Sequence, residues 1–244
     1  DLNKALVSLA EEERARIHFD HRCAAINWDA NKIRFETSEG GHVDATADLI
    51  FGSDGAFSAA RLQHQLQHDR FQYQQSYIDF GYKELTIPAA PGGGFQLEKE
   101  ALHIWPRKNY MLIALPNPDG SFTCTLFFPY EGDPSFESLK TDEQVRAFFE
   151  SNFPNAMALM PDAVEQYRTN PTGSLVTIKC YPWIRDGKFA LIGDAAHAIV
   201  PFFGQGMNCG FEDCYVLNTL MDKYGEDWDR SEEHTSELQS RQYL

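Results

Sequence analysis

Two carboxylates in this sequence stand where a short apolar run ends in a glycine-containing turn. The run Phe189 to Ile192 is short and apolar throughout, the pattern of a buried strand. It delivers Gly193 and Asp194 at its carboxyl end, the edge where ligands sit in open α/β sheets. A carboxylate there can accept hydrogen bonds from ligand hydroxyls. Pro201 to Gly206 follows, with glycine at 204 and 206. Glycine lets a backbone approach a flat ring closely and turn with positive φ. A helix is expected from about Met207, with Met207, Phe211, Cys214, Leu217 and Met221 as its apolar stripe. Free N–H groups at its start would face the turn and favour negative charge there. A generic strand and helix with a capping aspartate would need Gly-Asp alone. The length of the run, Gly187 to Asn208, argues for a ligand site.

The second carboxylate is Asp54. Asp48 to Phe51 reads as a short strand running into Gly52, Ser53, Asp54 and Gly55, with a helix expected from about Phe57 to Leu66. Alone such a turn is a weak signal; paired with the later run it becomes specific. Other chemistries find no support. The eight histidines are scattered and form no HExxH pattern, and His197 reads as a residue that holds its turn, not as a general base. The five cysteines, Cys23, Cys124, Cys180, Cys209 and Cys214, make an odd number without a CxxC pair. Neither zinc spacing nor a disulfide framework is expected, and a reducing compartment fits best.

The elements that must position these carboxylates can be read around them. Leu2 to Ala15 has helical periodicity; Arg16 to Phe19 and Cys23 to Trp28 read as strands. Lys32 to Thr37, the turn Glu39 to Gly41, and the run toward Ala45 make a hairpin. The middle of the chain is β-rich, with strands expected at Tyr77 to Ile87, Ala101 to Trp105, Tyr110 to Leu115 and Ser121 to Pro129. Pro-Gly-Gly-Gly at Pro91 to Gly94 and Asn-Pro-Asp-Gly at Asn117 to Gly120 separate them. Thr141 to Gln144 is a capping-box pattern opening a helix that covers Val145, Phe148 and Phe149. The order is nucleotide-fold pieces, then a sheet, then nucleotide-fold pieces again. An antiparallel sheet inserted into a split domain explains it.

Bulk composition bounds the rest. With 43% hydrophobic and 23% charged residues, the 244-residue chain has ordinary globular composition. It holds no run of roughly 20 apolar residues, so no membrane segment is expected. A net charge of -15 repels phosphate backbones, so nucleic acid is not an expected partner. The start at Asp1 reads as the middle of a helix rather than a natural N-terminus, and nothing there reads as a signal peptide. The stretch Arg230 to Ser240 reads as a sequencing-adapter artefact or a disordered polar tail, and 230–244 is set apart from the fold.

The run Gly187 to Asn208 resembles the GD motif of the group A flavoprotein hydroxylases, the family of p-hydroxybenzoate hydroxylase. Asp48 to Arg61 resembles that family's DG motif, and the two stand in the family's order. The resemblance implies an α/β fold with an α+β insertion. An FAD/NAD(P)-binding Rossmann-like domain would occupy 1–70 and 181–229, split by an antiparallel β-sheet substrate domain at 71–180. It implies FAD as cofactor, NADPH as co-substrate, and monooxygenation of an aromatic ring with O2. Asp194 would bind ribityl oxygen. Met207 and Asn208 would meet the isoalloxazine through their backbones, beside Gly204 and Gly206. Asp54 would serve the pyrophosphate region. Cys23, on the strand after His21 and Arg22, would contact the adenosine half through its backbone, and Ala59 would sit beside the cofactor.

Within that family, the runs Gly81 to Pro88, Leu102 to Arg107, Met111 to Asn117 and Ser121 to Phe127 look like those of members that hydroxylate L-kynurenine. So do Phe202, Phe203 and the run Gly210 to Cys214. The resemblance covers Asp1 to about Trp228. It implies that Leu102, Ile113, Leu115 and Phe127 line an aromatic pocket, with Pro201, Phe202 and Phe203 near the flavin. Strand periodicity agrees for one pair, since Ile113 and Leu115 share a face; each residue also fits plain sheet core. No side chain is expected to act as a covalent catalyst. A related hydroxylase or epoxidase for another aromatic substrate stays open, as does an inactive fragment without cofactor. The family's GxGxxG motif does not occur in these residues and is expected upstream, so the 244-residue chain alone is expected to bind FAD poorly. A cytoplasmic location is expected, or the mitochondrial outer membrane if the source is eukaryotic.

Overall fold

The computed structural model describes residues 2–225; the expectation for Arg230 to Ser240 lies outside them. The chain divides into two compact units, one comprising residues up to Gln75 and from Thr177 onward, the other Ser76–Val176.

In chain order the first unit opens with α1 (Leu2–Glu12), which ends where Arg14 takes a left-handed φ of 68°. The strands β1 (His21–Asn27), β2 (Lys32–Thr37) and β3 (His42–Thr46) follow as an antiparallel meander. The β2–β3 turn closes through Gly40 at φ 80°, whose N–H donates to the Thr37 carbonyl at 2.9 Å. Then come β4 (Ile50–Gly52) and α2 (Ala59–Leu66). The long β5 (Gln72–Ile87) leads into the second unit, with β6 (His103–Pro106), β7 (Met111–Pro116) and β8 (Phe122–Pro129). Three helices follow, α3 (Asp142–Asn152), α4 (Pro154–Met157) and α5 (Ala163–Thr169). The strand β9 (Thr172–Tyr181) returns the chain to the first unit, which finishes with β10 (Ile184–Arg185), β11 (Phe189–Leu191), α6 (Asp194–His197) and α7 (Gly206–Tyr224).

The expected strand at Arg16 to Phe19 does not form. A strand needs a neighbour for its ladder, and no described segment pairs with this one.

The second unit is a five-stranded sheet in the order β6-β7-β8-β5-β9. Alternation decides its two faces. Leu85, Ile87, Leu112, Ala114, Phe122, Cys124, Leu126 and Phe128 point one way, into a single core. Val145, Phe148 and Phe149 of α3 complete that core, as the helical spacing predicts. Full burial of such side chains contributes roughly 1.5–3 kcal/mol each. The capping box is present: the Gln144 N–H donates to Thr141 Oγ1, and the Thr141 N–H donates back to Gln144 Oε1. The first unit has its own core, built from Ile26, Trp28, Ile50, Trp183, Phe189 and Leu191 among others.

Candidate functional site

One pairing in the first unit brings the two carboxylate turns together. Strand β11 runs parallel to β4, with Phe189 opposite Ile50 and Leu191 opposite Gly52. The ladder continues through the Ile192 N–H, which donates to the Gly52 carbonyl at 3.0 Å. Both strands therefore end at the same edge, and the turns at Asp54 and Asp194 leave it side by side. Gly52 is needed at this junction. A Cβ there would sit 2.9 Å from both Ala60 Cβ and Leu191 Cδ2, closer than packing permits.

The turn after β11 is held on two sides. Gly193 has φ +59°, a conformation that favours glycine. Its N–H donates to Asp213 Oδ2 of α7 at 2.7 Å, and His197 Nε2 lies 2.7 Å from the same oxygen. His197, buried against the Trp183 ring, thus holds the turn. From the other side the buried Arg61 of α2 donates through Nη1 to the Ala195 carbonyl at 2.7 Å, and through Nη2 to the Ala56 carbonyl at 2.6 Å. Sequence reading did not single out Arg61 or Asp213. Arg61 ends the run Asp48 to Arg61 and Asp213 lies within Gly210 to Cys214, but Ala195 for the one and Gly193 and His197 for the other are distant in the chain and leave no local signal.

Asp194 itself is exposed, and no hydrogen bond to its carboxylate is made among the described residues. It lines a cavity of about 930 Å³ together with Ser53, Gly55, Pro201, Gly206 and Met207. Gly204 closes the Pro201–Phe203 turn in the left-handed region, at φ +62°. Gln205 supplies no side-chain cap to α7, so the first N–H groups of that helix are left for a ligand at the turn. The Asn208 side chain donates to Gln205 Oε1 and braces this opening.

Asp54 is differently employed. Its Oδ1 accepts from Ser58 Oγ at 2.5 Å, and its Oδ2 from the N–H groups of Ala59 and Ala60 at 2.7 and 3.1 Å. Both oxygens serve the start of α2, so the carboxylate acts first as a helix cap. Asp54 nonetheless borders a second cavity of about 450 Å³, along with Cys23, Phe35, Gly52 and Ala59. Burial, with Asp54 nearby, pushes the Cys23 thiol up and so disfavours its thiolate. Ser53 lines both cavities, so the two are neighbours along the sheet edge.

The expected apolar stripe of α7 does not pack into a core. Met207 is 58% exposed, Phe211 and Met221 are exposed too, and the helix's one buried residue among those described is Asp213. Met207, Phe211 and Cys214 face the larger cavity instead. Helical periodicity marks the element; it does not distinguish a cavity wall from a core.

The residues expected around an aromatic substrate fall in both units. In the second, Ile113, Leu115 and Phe127 share the sheet face opposite the core: Ile113 pairs with Thr125, Leu115 with Thr123, and Phe127 with Met111 and Tyr82. Phe127 is buried at 3%, while Leu115 is exposed, as is Leu102 just before β6. In the first, Pro201, Phe202 and Phe203 form one 3₁₀ turn, with Pro201 on the larger cavity and Phe203 88% exposed.

A dinucleotide with a flat ring at one end fits this donor set. The unpartnered carboxylate can take hydroxyl donors, the uncapped helix can take an anionic edge, and the adjoining cavity extends along the same strand ends. Among the described residues no cluster suits a metal ion, and no helix is long and apolar enough to cross a membrane.

This chain belongs to the FAD binding domain family, which it matches over residues 1–232. It is 52% identical over 229 residues to the kynurenine 3-monooxygenase of Flavobacterium psychrophilum, covering 93% of this chain and 51% of that protein. To the kynurenine 3-monooxygenase of Dictyostelium discoideum it is 48% identical over 237 residues, covering 91% and 51%. The chain thus spans about half the length of these curated relatives. Among solved structures, a mutant of 2-methyl-3-hydroxypyridine-5-carboxylic acid oxygenase shares the fold, with TM-score 0.73 at 24% identity, over 95% of this chain and 60% of that one. So does Klebsiella pneumoniae HpxO complexed with FAD and uric acid, with TM-score 0.60 at 18% identity, over 87% and 52%.

Proposed function

We propose that the protein hydroxylates the aromatic ring of L-kynurenine to 3-hydroxykynurenine, with FAD in the first unit and NADPH and O2 as co-substrates. The observation that carries the reading is the parallel β4–β11 pairing, which sets both motif turns on one edge. The substrate assignment leans on the relatives named kynurenine 3-monooxygenase, similar over more than nine-tenths of the chain.

In this reading Asp194 takes the ribityl hydroxyls. Gly204, Gly206, Met207 and Asn208 present backbone to the isoalloxazine. Cys23, Asp54 and Ala59 border the nucleotide half, Asp54 acting mainly by fixing the start of α2. FAD, when bound, supplies the redox and oxygen chemistry, which no protein side chain can. The protein's work is to hold the aromatic ring and exclude water. Leu102, Ile113, Leu115 and Phe127, with Pro201, Phe202 and Phe203, are suited to that because none is ionisable. The substrate's own amine makes its ring electron-rich, so no general base is assigned. The free thiols suit a reducing compartment, and we place the protein in the cytoplasm.

The test is to supply the full-length protein with FAD, NADPH and L-kynurenine, and to follow flavin absorbance, NADPH oxidation and product mass. A yellow protein that gains one oxygen on kynurenine supports the proposal. A flavoprotein that oxidises NADPH equally with and without kynurenine, and gives no hydroxylated product, refutes the substrate. A colourless protein refutes the cofactor.

A further inference from the structure

We propose that Asp213 is a positioning residue for the flavin site, its buried carboxylate bolting the Gly193–His197 turn to α7. The proposal rests on reading that site as the FAD site. Asp213 is 3% exposed, on a helix whose other described residues are less buried. A carboxylate is a costly way to fill such a position. What it does there is specific. One oxygen, Oδ2, receives both ends of the turn, from the Gly193 N–H and from His197 Nε2. The other, Oδ1, is buried with no hydrogen-bond partner.

The surroundings are built for close approach. Gly193 and Gly210 face each other without side chains, and a Cβ on Gly210 would lie 3.7 Å from Gly193 Cα. Asp213 lies one helical turn beyond Gly210, so it can reach back to that contact. Asp194 sits inside the clamped segment, and α7 carries the uncapped N-terminus. Fixing turn to helix therefore fixes the hydroxyl acceptor relative to the donors for an anionic edge. Asp213 is not itself among the residues lining the cavity; it is bonded to Gly193, which is, and acts through what it holds.

Two variants separate hydrogen-bond geometry from charge and from bulk. Asp213→Asn can keep an oxygen in the Oδ2 place and put its amide nitrogen where Oδ1 has no partner. Asp213→Leu fills the space and removes the acceptor. In the full-length protein, FAD affinity is measured by fluorescence quenching, and hydrogen–deuterium exchange of Gly193 to Ala198 is followed without FAD. D213L is expected to weaken FAD binding by about tenfold or more and to speed that exchange about tenfold. D213N is expected to stay within about threefold of the parent in both, since both hydrogen bonds survive. Unchanged FAD affinity in D213L overturns the proposal, even with faster exchange, because the role is then structural only. D213N as weak as D213L overturns it too, since charge and not geometry would be at work. Should D213L not fold, His197→Leu removes half of the clamp and must show both changes in smaller measure; no change there overturns it. If the parent binds no FAD, the reading of the site falls separately, and the exchange comparison alone decides whether Asp213 holds the turn.

Discussion

Replacing Arg61 by methionine tests how the two motif turns are tied together. Arg61 is 4% exposed; its guanidinium donates to the Ala195 and Ala56 carbonyls at 2.7 and 2.6 Å, with the Tyr73 hydroxyl at 3.4 Å. Its charge also lies 5.0 Å from the centre of the Tyr73 ring. Methionine keeps the apolar stem and deletes the donors. Two charge-assisted hydrogen bonds are worth about 1.5–3 kcal/mol each, and the two carbonyls would be left without them. Against that stands relief from burying a cation, since no ion pair to Arg61 is present among the described residues. The net expected loss is about 2–4 kcal/mol in the first unit. With a urea dependence of about 2–3 kcal/mol per molar, the midpoint should fall by about 1 M. Trp28 and Trp183, both buried in that unit, report its unfolding by fluorescence. Arg61→Lys, which restores one donor group, should recover part of the loss. A midpoint within about 0.3 M of the parent for R61M would show that the tie to Ala195 carries no stability, and the reasoning would fail.

Asp194→Ala should lower FAD affinity about tenfold or more in the full-length protein, because a charge-assisted bond to a ligand hydroxyl is lost; equal flavin occupancy at limiting FAD would refute the role. On the proposed reading, Phe127→Ala in the full-length protein should leave NADPH oxidation running while peroxide rises at the expense of hydroxylated product; unchanged coupling would leave Phe127 to plain sheet packing. Burial, with His68 and Arg185 adding, holds the His64 imidazole down at about 4, against its ordinary 6.5. The unfolded chain therefore binds the extra proton first on acidification. His64's contribution is present above pH 6.5 and is lost as the pH falls toward 4, and His64→Phe should flatten that decline in chemical denaturation measured across pH. Thr141→Ala should cost about 1 kcal/mol in the second unit through loss of the capping box, read from its urea midpoint.

Much of the fold could be read from local pattern because local physics decides it. Alternation set Ile113 and Leu115 on one face of β7, though not which face carries the core, and Thr141 to Gln144 announced α3. The parallel placement of β4 beside β11 was not legible; motif order showed only that the two pieces belong to one split domain. Where reading failed, a distant partner was the deciding quantity. Arg16 to Phe19 has the composition of a strand but no described neighbour to pair with. The stripe on α7 gave the helix and left its burial open, because period alone cannot say what lies opposite. Asp213 and His197 meet across a loop and a helix turn, with nothing in either neighbourhood to signal the contact. Asp54 was read as a ligand carboxylate, and its engagement with the start of α2, although local, was not read.

The pairing of β4 with β11 also orders events in time. All of the second unit is encoded between these two neighbouring strands. On a translating ribosome, Gly52 and Asp54 emerge well before Leu191 and Asp194 exist. At about 5–20 residues per second, the earlier strand waits on the order of ten seconds for its partner. During that interval the edge of β4 lacks β11, its only described neighbour, and apolar residues such as Ile50 have no Phe189 against them. The second unit, with its own core and its own capped helix, is complete first. It can therefore fold while β4 still lacks β11, and termination between Tyr181 and Phe189 would yield a complete sheet attached to a first unit whose two motif turns are never brought together.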